Sequence, residues 1–128
     1  MRVPTLIAAL CLAATATATF TDSCTNCRFI SNKAVAAYFA CDCKTVSGST
    51  TTSGIALSNC YSNNNGDLVA QANGGAFLSC SAGSLGPAAG GALFLGVACP
   101  RNDGSTHSYS INLNVGPLHN NNGQLQCF

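Results

Sequence analysis

The chain has 128 residues, of which only 7% are charged; five basic side chains face four acidic ones, and glutamate is absent. A near-neutral balance of +1 leaves no basic patch for nucleic acid or anionic lipid. Nine cysteines and abundant Gly, Ser, Thr and Asn describe instead a small, turn-rich, cross-linked β protein.

In chain order, Arg2 precedes an apolar run over residues 6–14, and Ala16-Thr17-Ala18 offers small residues in an A-x-A arrangement. This is the layout of a secretory signal peptide over residues 1–18. The run is well short of the ~20 residues that span a bilayer. The expected product is a secreted, extracellular protein made of one domain over residues 19–128, with no membrane partner. The leader takes Cys11 with it and leaves eight cysteines.

Residues 20–24 read as a first strand. Ala37, Phe39, Cys41 and Cys43 then alternate with Tyr38, Ala40 and Asp42, a period-two core face. Residues 44–54 form a Ser/Thr/Gly loop, a single helical turn fits residues 58–62, and Asn63-Asn64-Asn65-Gly66 signals a tight hairpin turn. Residues 81–91, rich in Gly and Ala with Pro87, read as a flexible connection. Leu93, Leu95, Val97 and Cys99 restore the alternation, and residues 100–108 form a second loop. Ile111, Leu113 and Val115 alternate with Asn112 and Asn114, Pro117 ends that segment, and Asn120-Asn121-Asn122-Gly123 repeats the turn signal. The fold class is all-β.

The doubled turn prompts a search for an internal repeat. Cys24 and Cys80, Cys43 and Cys99, Ile55 and Ile111, and Leu57 and Leu113 share one constant offset. After a one-residue insertion, Asn65-Gly66 meets Asn122-Gly123 and Leu68 meets Leu125. Two tandem copies follow, one over about residues 20–75 and one over about residues 76–128.

Eight cysteines in a secreted chain allow ~105 pairings. If the copies fold alike, Cys24 bonds Cys43 and Cys80 bonds Cys99. Cys27 and Cys41 face one another if their strands are antiparallel, and Cys60 with Cys127 is left by elimination; the repeat itself fixes only the first two. The rival for Cys24-x-x-Cys27 is a metal site, disfavoured because no second such pair exists and the compartment is oxidising. No metal and no cofactor are expected. Catalysis is also disfavoured: His107 and His119, the only histidines, sit in polar loops or turns, and no hydrolase or metalloprotease motif is present. No Asn-x-Ser/Thr acceptor occurs.

Phe-x-x-x-Cys at residues 20–24, apolar-x-small-x-Cys at residues 95–99, Ser-Ile-Asn-Leu-Asn at residues 110–114 and the Asn-x-x-Gly-x-Leu turns together resemble the cyanovirin-N homology family. The secreted, cysteine-enriched form looks like its filamentous-fungal branch. The resemblance implies a pseudo-symmetric cyanovirin-N-like β domain whose two repeats exchange strands within the chain, with one disulfide inside each repeat. It also implies a lectin, whose partners are glycans or glycoproteins and which is a monomer or a strand-swapped dimer.

The family's sugar-contacting positions fall, for one pocket, on Ser62, Asn63, Asn64, Asn65 and Gly66, with Gly75, Ser79, Arg101, Asn102 and Gly104 around them. For the other they fall on Asp22, Ser23, Lys44, Val46, Asn120, Asn121, Asn122 and Gly123. Ser62, Lys44, Asn65 and Asn122 stand where the family pattern has acidic residues. Asn both donates and accepts, so the turns keep the chemistry to bind a diol. The implied function is recognition of oligosaccharides, mannose-containing ones among them, through Asn-rich turns at two ends. The alternative is a secreted, disulfide-rich structural or interaction protein with a degenerate sugar site.

Overall fold

The computed structural model describes residues 19–30, 37–87 and 92–128; the expected leader, residues 1–18, lies outside the described residues. Ten strands are connected by turns and three single 3-10 turns, with no α-helix among the described residues. The strands are β1 (Cys24–Phe29), β2 (Tyr38–Lys44), β3 (Thr50–Ala56), β4 (Tyr61–Asn64), β5 (Asp67–Ala70), β6 (Ser81–Pro87), β7 (Leu93–Pro100), β8 (Thr106–Asn112), β9 (Leu118–Asn121) and β10 (Gln124–Cys127). They form two antiparallel three-stranded sheets, β1-β2-β3 and β6-β7-β8, and two hairpins, β4-β5 and β9-β10.

The repeat in the sequence is a repeat in space. Thr25 pairs with Asp42 and Phe29 with Phe39 in the first sheet; Ser81 pairs with Ala98 and Leu85 with Leu95 at the equivalent places of the second. Even the bulge that interrupts the first strand of each sheet recurs, after Thr25 and after Ala82. A bulge adds a residue to one strand and sharpens its twist.

Each hairpin packs on the sheet of the other copy. The β9-β10 hairpin, from the second copy, lies on β3: Thr51 Oγ1 donates to the Gly123 carbonyl at 2.8 Å and Leu125 N donates to Ser53 Oγ at 2.9 Å. The β4-β5 hairpin, from the first copy, lies on β8: Leu68 N donates to the Tyr109 hydroxyl at 2.7 Å and His107 Nδ1 bonds the Gly66 carbonyl at 3.2 Å. The same backbone groups are therefore caught in both halves, by different side chains at equivalent positions. Neither copy closes its own core, so the exchanged hairpins make the chain one cooperative unit.

The core follows the period-two faces, except that Ala40, on the opposite face of β2, is buried as well. Phe39, Cys41 and Cys43 on β2 and Leu95, Val97 and Cys99 on β7 are buried, joined by Phe20, Leu57, Phe77, Leu113, Leu118 and Leu125. Phe39 meets Phe20 and Phe29 in steeply inclined, edge-type contacts, with ring centroids 6.2 and 6.0 Å away. Burial of several such side chains, each worth about 1.5–3 kcal/mol, is the main stabilising term.

The disulfides are Cys24–Cys43, Cys27–Cys41, Cys60–Cys127 and Cys80–Cys99, the four pairings expected. Cys24–Cys43 and Cys80–Cys99 are equivalent; the other two have no counterpart and break the pseudo-symmetry. Among the described residues no helix is long and apolar enough to cross a membrane.

Several local expectations are corrected. Residues 20–22 form a 3-10 turn rather than a strand, because the Asp22 carboxylate accepts from Thr19 N at 2.9 Å and caps it. The two loops are shorter than expected, since β3 begins at Thr50 and β8 at Thr106. Residues 81–87 of the supposed flexible connection are a strand; its small residues still offer backbone groups to β7, and residues 88–91 lie outside the described residues. The alternation of Ile111, Leu113 and Val115 stops at Leu113, because β8 ends at Asn112 and the chain turns, leaving Val115 79% exposed. The single helical turn comes one residue early, at Leu57–Asn59. His107 lies on β8, half-buried and stacked on Tyr109 at 4.2 Å, rather than in a loop.

Candidate functional site

The two Asn turns lie at equivalent places and are held by the same device. In the β4-β5 turn Asn65 and Gly66 have φ of 51° and 95°; in the β9-β10 turn Asn122 and Gly123 have φ of 52° and 90°. Positive φ at both central residues is what a two-residue hairpin turn of matching twist requires, and Asn-Gly supplies it at least cost. A Cβ on Gly66 would come within 2.6 Å of Arg101 Cγ, and one on Gly123 within 2.5 Å of Thr51 Oγ1. The glycines thus also let each turn close on its neighbouring loop.

Asn63 stands at the base of the first turn. Its Oδ1 accepts from Gly66 N at 2.7 Å, and its Nδ2 donates to Ser79 Oγ at 3.2 Å and to the Pro100 carbonyl at 3.1 Å. Asn120 repeats this at the second turn: Oδ1 accepts from Gly123 N at 2.8 Å, and Nδ2 donates to Ser23 Oγ at 2.8 Å and to the Lys44 carbonyl at 3.0 Å. One residue before each Gly, Asn65 Oδ1 accepts from Asn102 N at 2.8 Å and Asn122 Oδ1 accepts from Val46 N at 2.9 Å. Each turn is thereby fixed to the hairpin loop beside it, residues 101–105 at one end and residues 45–49 at the other.

These bonds divide the expected site residues. Asn63 and Asn120 have both donor hydrogens and an acceptor lone pair committed inside the protein, which is structural work. Asn65 and Asn122 commit their oxygens, are exposed, and make no Nδ2 bond among the described residues. Asn64 is exposed and makes no side-chain bond among the described residues, whereas Asn121 Nδ2 donates to Gln126 Oε1 at 3.0 Å. Ser62 is half-buried beside the turn. Ser23 and Ser79 each accept from an Asn, and Asp22 caps its own turn next to Ser23. Gly104, with φ of 91°, shapes the 101–105 loop. Gly75, with φ of 70°, precedes the 3-10 turn Ala76–Leu78 that leads to Ser79.

The two ends differ in what they leave free. At the 65–66 end Arg101 lays its stem over Gly66, and the exposed Asn102 side chain and the Asn64 amide stand nearby. Asp103 adds a carboxyl that sequence reasoning missed. Ser105 donates to it through its hydroxyl at 2.6 Å and its amide at 2.9 Å, and these two bonds hold the carboxyl below its ordinary value. The Asn102-Asp103-Gly104 turn signature was the available signal. Asp67, also overlooked, bonds His107 Nδ1 at 3.0 Å and braces the turn. At the 122–123 end the equivalent loop ties up its own hydroxyls, Thr45 Oγ1 with Ser47 and Ser49 at 2.9 and 2.8 Å, and presents Val46 at 91% exposure. One end offers amides, a guanidinium and the Asp103 carboxylate; the other offers an apolar tip, Lys44, a free amide and the exposed Asp22 carboxylate that caps its own turn. Among the described residues no His, Cys, Asp or Glu cluster forms a metal set.

The fold is shared with solved proteins. A designed cyanovirin-N homolog lectin superposes with a TM-score of 0.71 at 22% identity, over 87% of this chain and 100% of that one. Microvirin, solved with mannobiose, gives a TM-score of 0.68 at 21% identity over 88% and 100%. A MoCVNH3 variant solved with (N-GlcNAc)4 gives 0.64 at 17% identity over 85% and 96%. No curated protein matches the chain in sequence. The profile of the CVNH domain matches residues 20–126, nearly the whole described region. With that match, the exchanged hairpins and the doubled turns, the chain belongs to the CVNH domain family.

Proposed function

We propose that this chain is a secreted carbohydrate-binding protein that takes oligosaccharides at the ends marked by its two Asn turns. The observation that carries the reading is the repeated clamp: a turn and a loop from opposite copies are fixed together while polar groups remain outward. Rigidly held amides, a carboxylate and a guanidinium suit vicinal hydroxyls, which both donate and accept. The 65–66 end, with Asn64, Asn65, Arg101, Asn102 and Asp103, is the better equipped. The proteins solved with mannobiose and with (N-GlcNAc)4 share the fold and indicate the ligand class. A single shallow site holds a sugar at around millimolar strength, on the order of −4 kcal/mol. Two working ends on one chain raise apparent affinity through multivalency.

The rival reading, a scaffold without sugar binding, draws support from the 122–123 end. There the loop hydroxyls are mutually bonded and Val46 is the most prominent side chain. A glycan array with the oxidised protein over residues 19–128 tests both readings. Competable binding that Asn64→Ala removes and Asn121→Ala leaves largely intact supports a lectin working at the 65–66 end. A blank array from protein with native circular dichroism supports the scaffold.

A further inference from the structure

One mainly apolar concavity lies away from both turns. A cavity of about 390 Å³ opens between the β4-β5 hairpin and the connection from β8 to β9, walled by Leu68, Ala70, Ile111, Val115 and Pro117. Tyr61 forms part of the lining, and a Cβ on Gly116 would stand 2.6 Å from the Tyr61 hydroxyl, so the phenol oxygen lies at the cavity edge. Its volume is within the range of small-molecule sites, which are mostly apolar with a few placed polar groups.

The pseudo-symmetry explains why the cavity occurs once. Ala70 pairs with Tyr61 as Cys127 pairs with Leu118, so Ala70 is the counterpart of Cys127. Gly116 and Pro117 fall where the other copy has Cys60. The Cys60–Cys127 disulfide fills one position, and at the equivalent one Ala70, Gly116 and Pro117 leave space.

The hydroxyl supplies the second observation. Tyr61 is only 6% exposed, and its phenol has no hydrogen-bond partner among the described residues. A buried donor is normally satisfied, and one left without a protein partner is available to a ligand.

We propose that this cavity binds a small, mainly apolar molecule carrying one hydrogen-bond acceptor, such as a carbonyl, which takes the Tyr61 proton. The site shares no lining residue with the turns and so is independent of glycan recognition. Amide chemical-shift mapping of the oxidised protein with acetophenone, and with ethylbenzene as the isostere lacking an acceptor, tests it. The expected result is saturable shifts confined to Leu68, Ala70, Ile111 and Gly116, with ethylbenzene bound about tenfold more weakly. Tyr61→Phe should abolish that preference, and Ala70→Leu should fill the cavity and abolish binding of both. Val115→Trp, at an exposed position, obstructs the mouth should Ala70→Leu fail to fold. Absence of saturable shifts, shifts elsewhere, equal affinity for the two probes, or unchanged binding in the filled variant each overturns the proposal.

Discussion

Asn63 and Asn64 are adjacent and chemically identical, yet substitution by alanine should affect them very differently. Asn63→Ala deletes three hydrogen bonds, to Gly66 N at 2.7 Å, Pro100 O at 3.1 Å and Ser79 Oγ at 3.2 Å. At roughly 1 kcal/mol net for each neutral bond the sum is about 3 kcal/mol, and access of water to a half-buried site reduces it to about 2 kcal/mol. For a domain of this size that is a fall in melting temperature of about 8 °C. Asn64→Ala removes an exposed side chain and should stay within about 0.5 kcal/mol of the parent. Asn63→Asp discriminates further: its carboxylate still accepts from Gly66 N but faces the Pro100 carbonyl without a donor, so it should be nearly as damaging as alanine at neutral pH. Urea denaturation with the disulfides intact, at unchanged m-value, reads the differences. Equal midpoints for Asn63→Ala and Asn64→Ala would refute the structural role given to Asn63.

Further expectations concern ionisation and cross-links. Burial, aided by the nearby Tyr109, pushes the Tyr61 phenol up to about 12 from an ordinary 10, and an ultraviolet titration should show its ionisation near that pH. Because the folded value is the higher one, its contribution is complete below pH 10 and lost as pH rises towards 12; Tyr61→Phe should remove that alkaline loss. Asp42 is held below the ordinary carboxylate value by bonds from Asn26 and Thr52 and, less strongly, by Arg28. Its contribution is present above the ordinary value and lost as pH falls through the lowered one, so Asp42→Asn should flatten the acid limb of stability, as measured by denaturation at a series of pH values. Replacing Cys60 and Cys127 by alanine opens a link across 67 residues and should cost about 4 kcal/mol in chemical denaturation. Removing Cys27–Cys41 should cost less, because that loop lies inside one already closed by Cys24–Cys43.

Much of the architecture was legible because it was written twice. The spacing of Cys24, Cys43, Ile55 and Leu57, repeated from Cys80 to Leu113, gave the two copies and, through them, two of the four cross-links. Alternation gave the buried faces of β2 and β7. It misled at Val115, where the chain leaves the strand before the pattern ends, and it was silent for β6, whose Gly and Ser residues contribute backbone pairing rather than side-chain burial. The turns were recognisable from Asn-Gly, but not the separate tasks of Asn63, Asn64 and Asn65. Those depend on where the amides point, and the partners Ser79, Pro100 and Asn102 lie far along the chain. The Tyr61 cavity was illegible for the same reason, since its walls come from both copies.

The Cys60–Cys127 bond makes residues 60–127 a closed covalent ring, which includes the exposed 101–105 loop. A protease that cuts that loop once leaves both fragments attached through the ring and held by their sheets. The nicked protein would keep its intact mass plus one water until reduced, so damage at one of its most accessible loops would not by itself release either half.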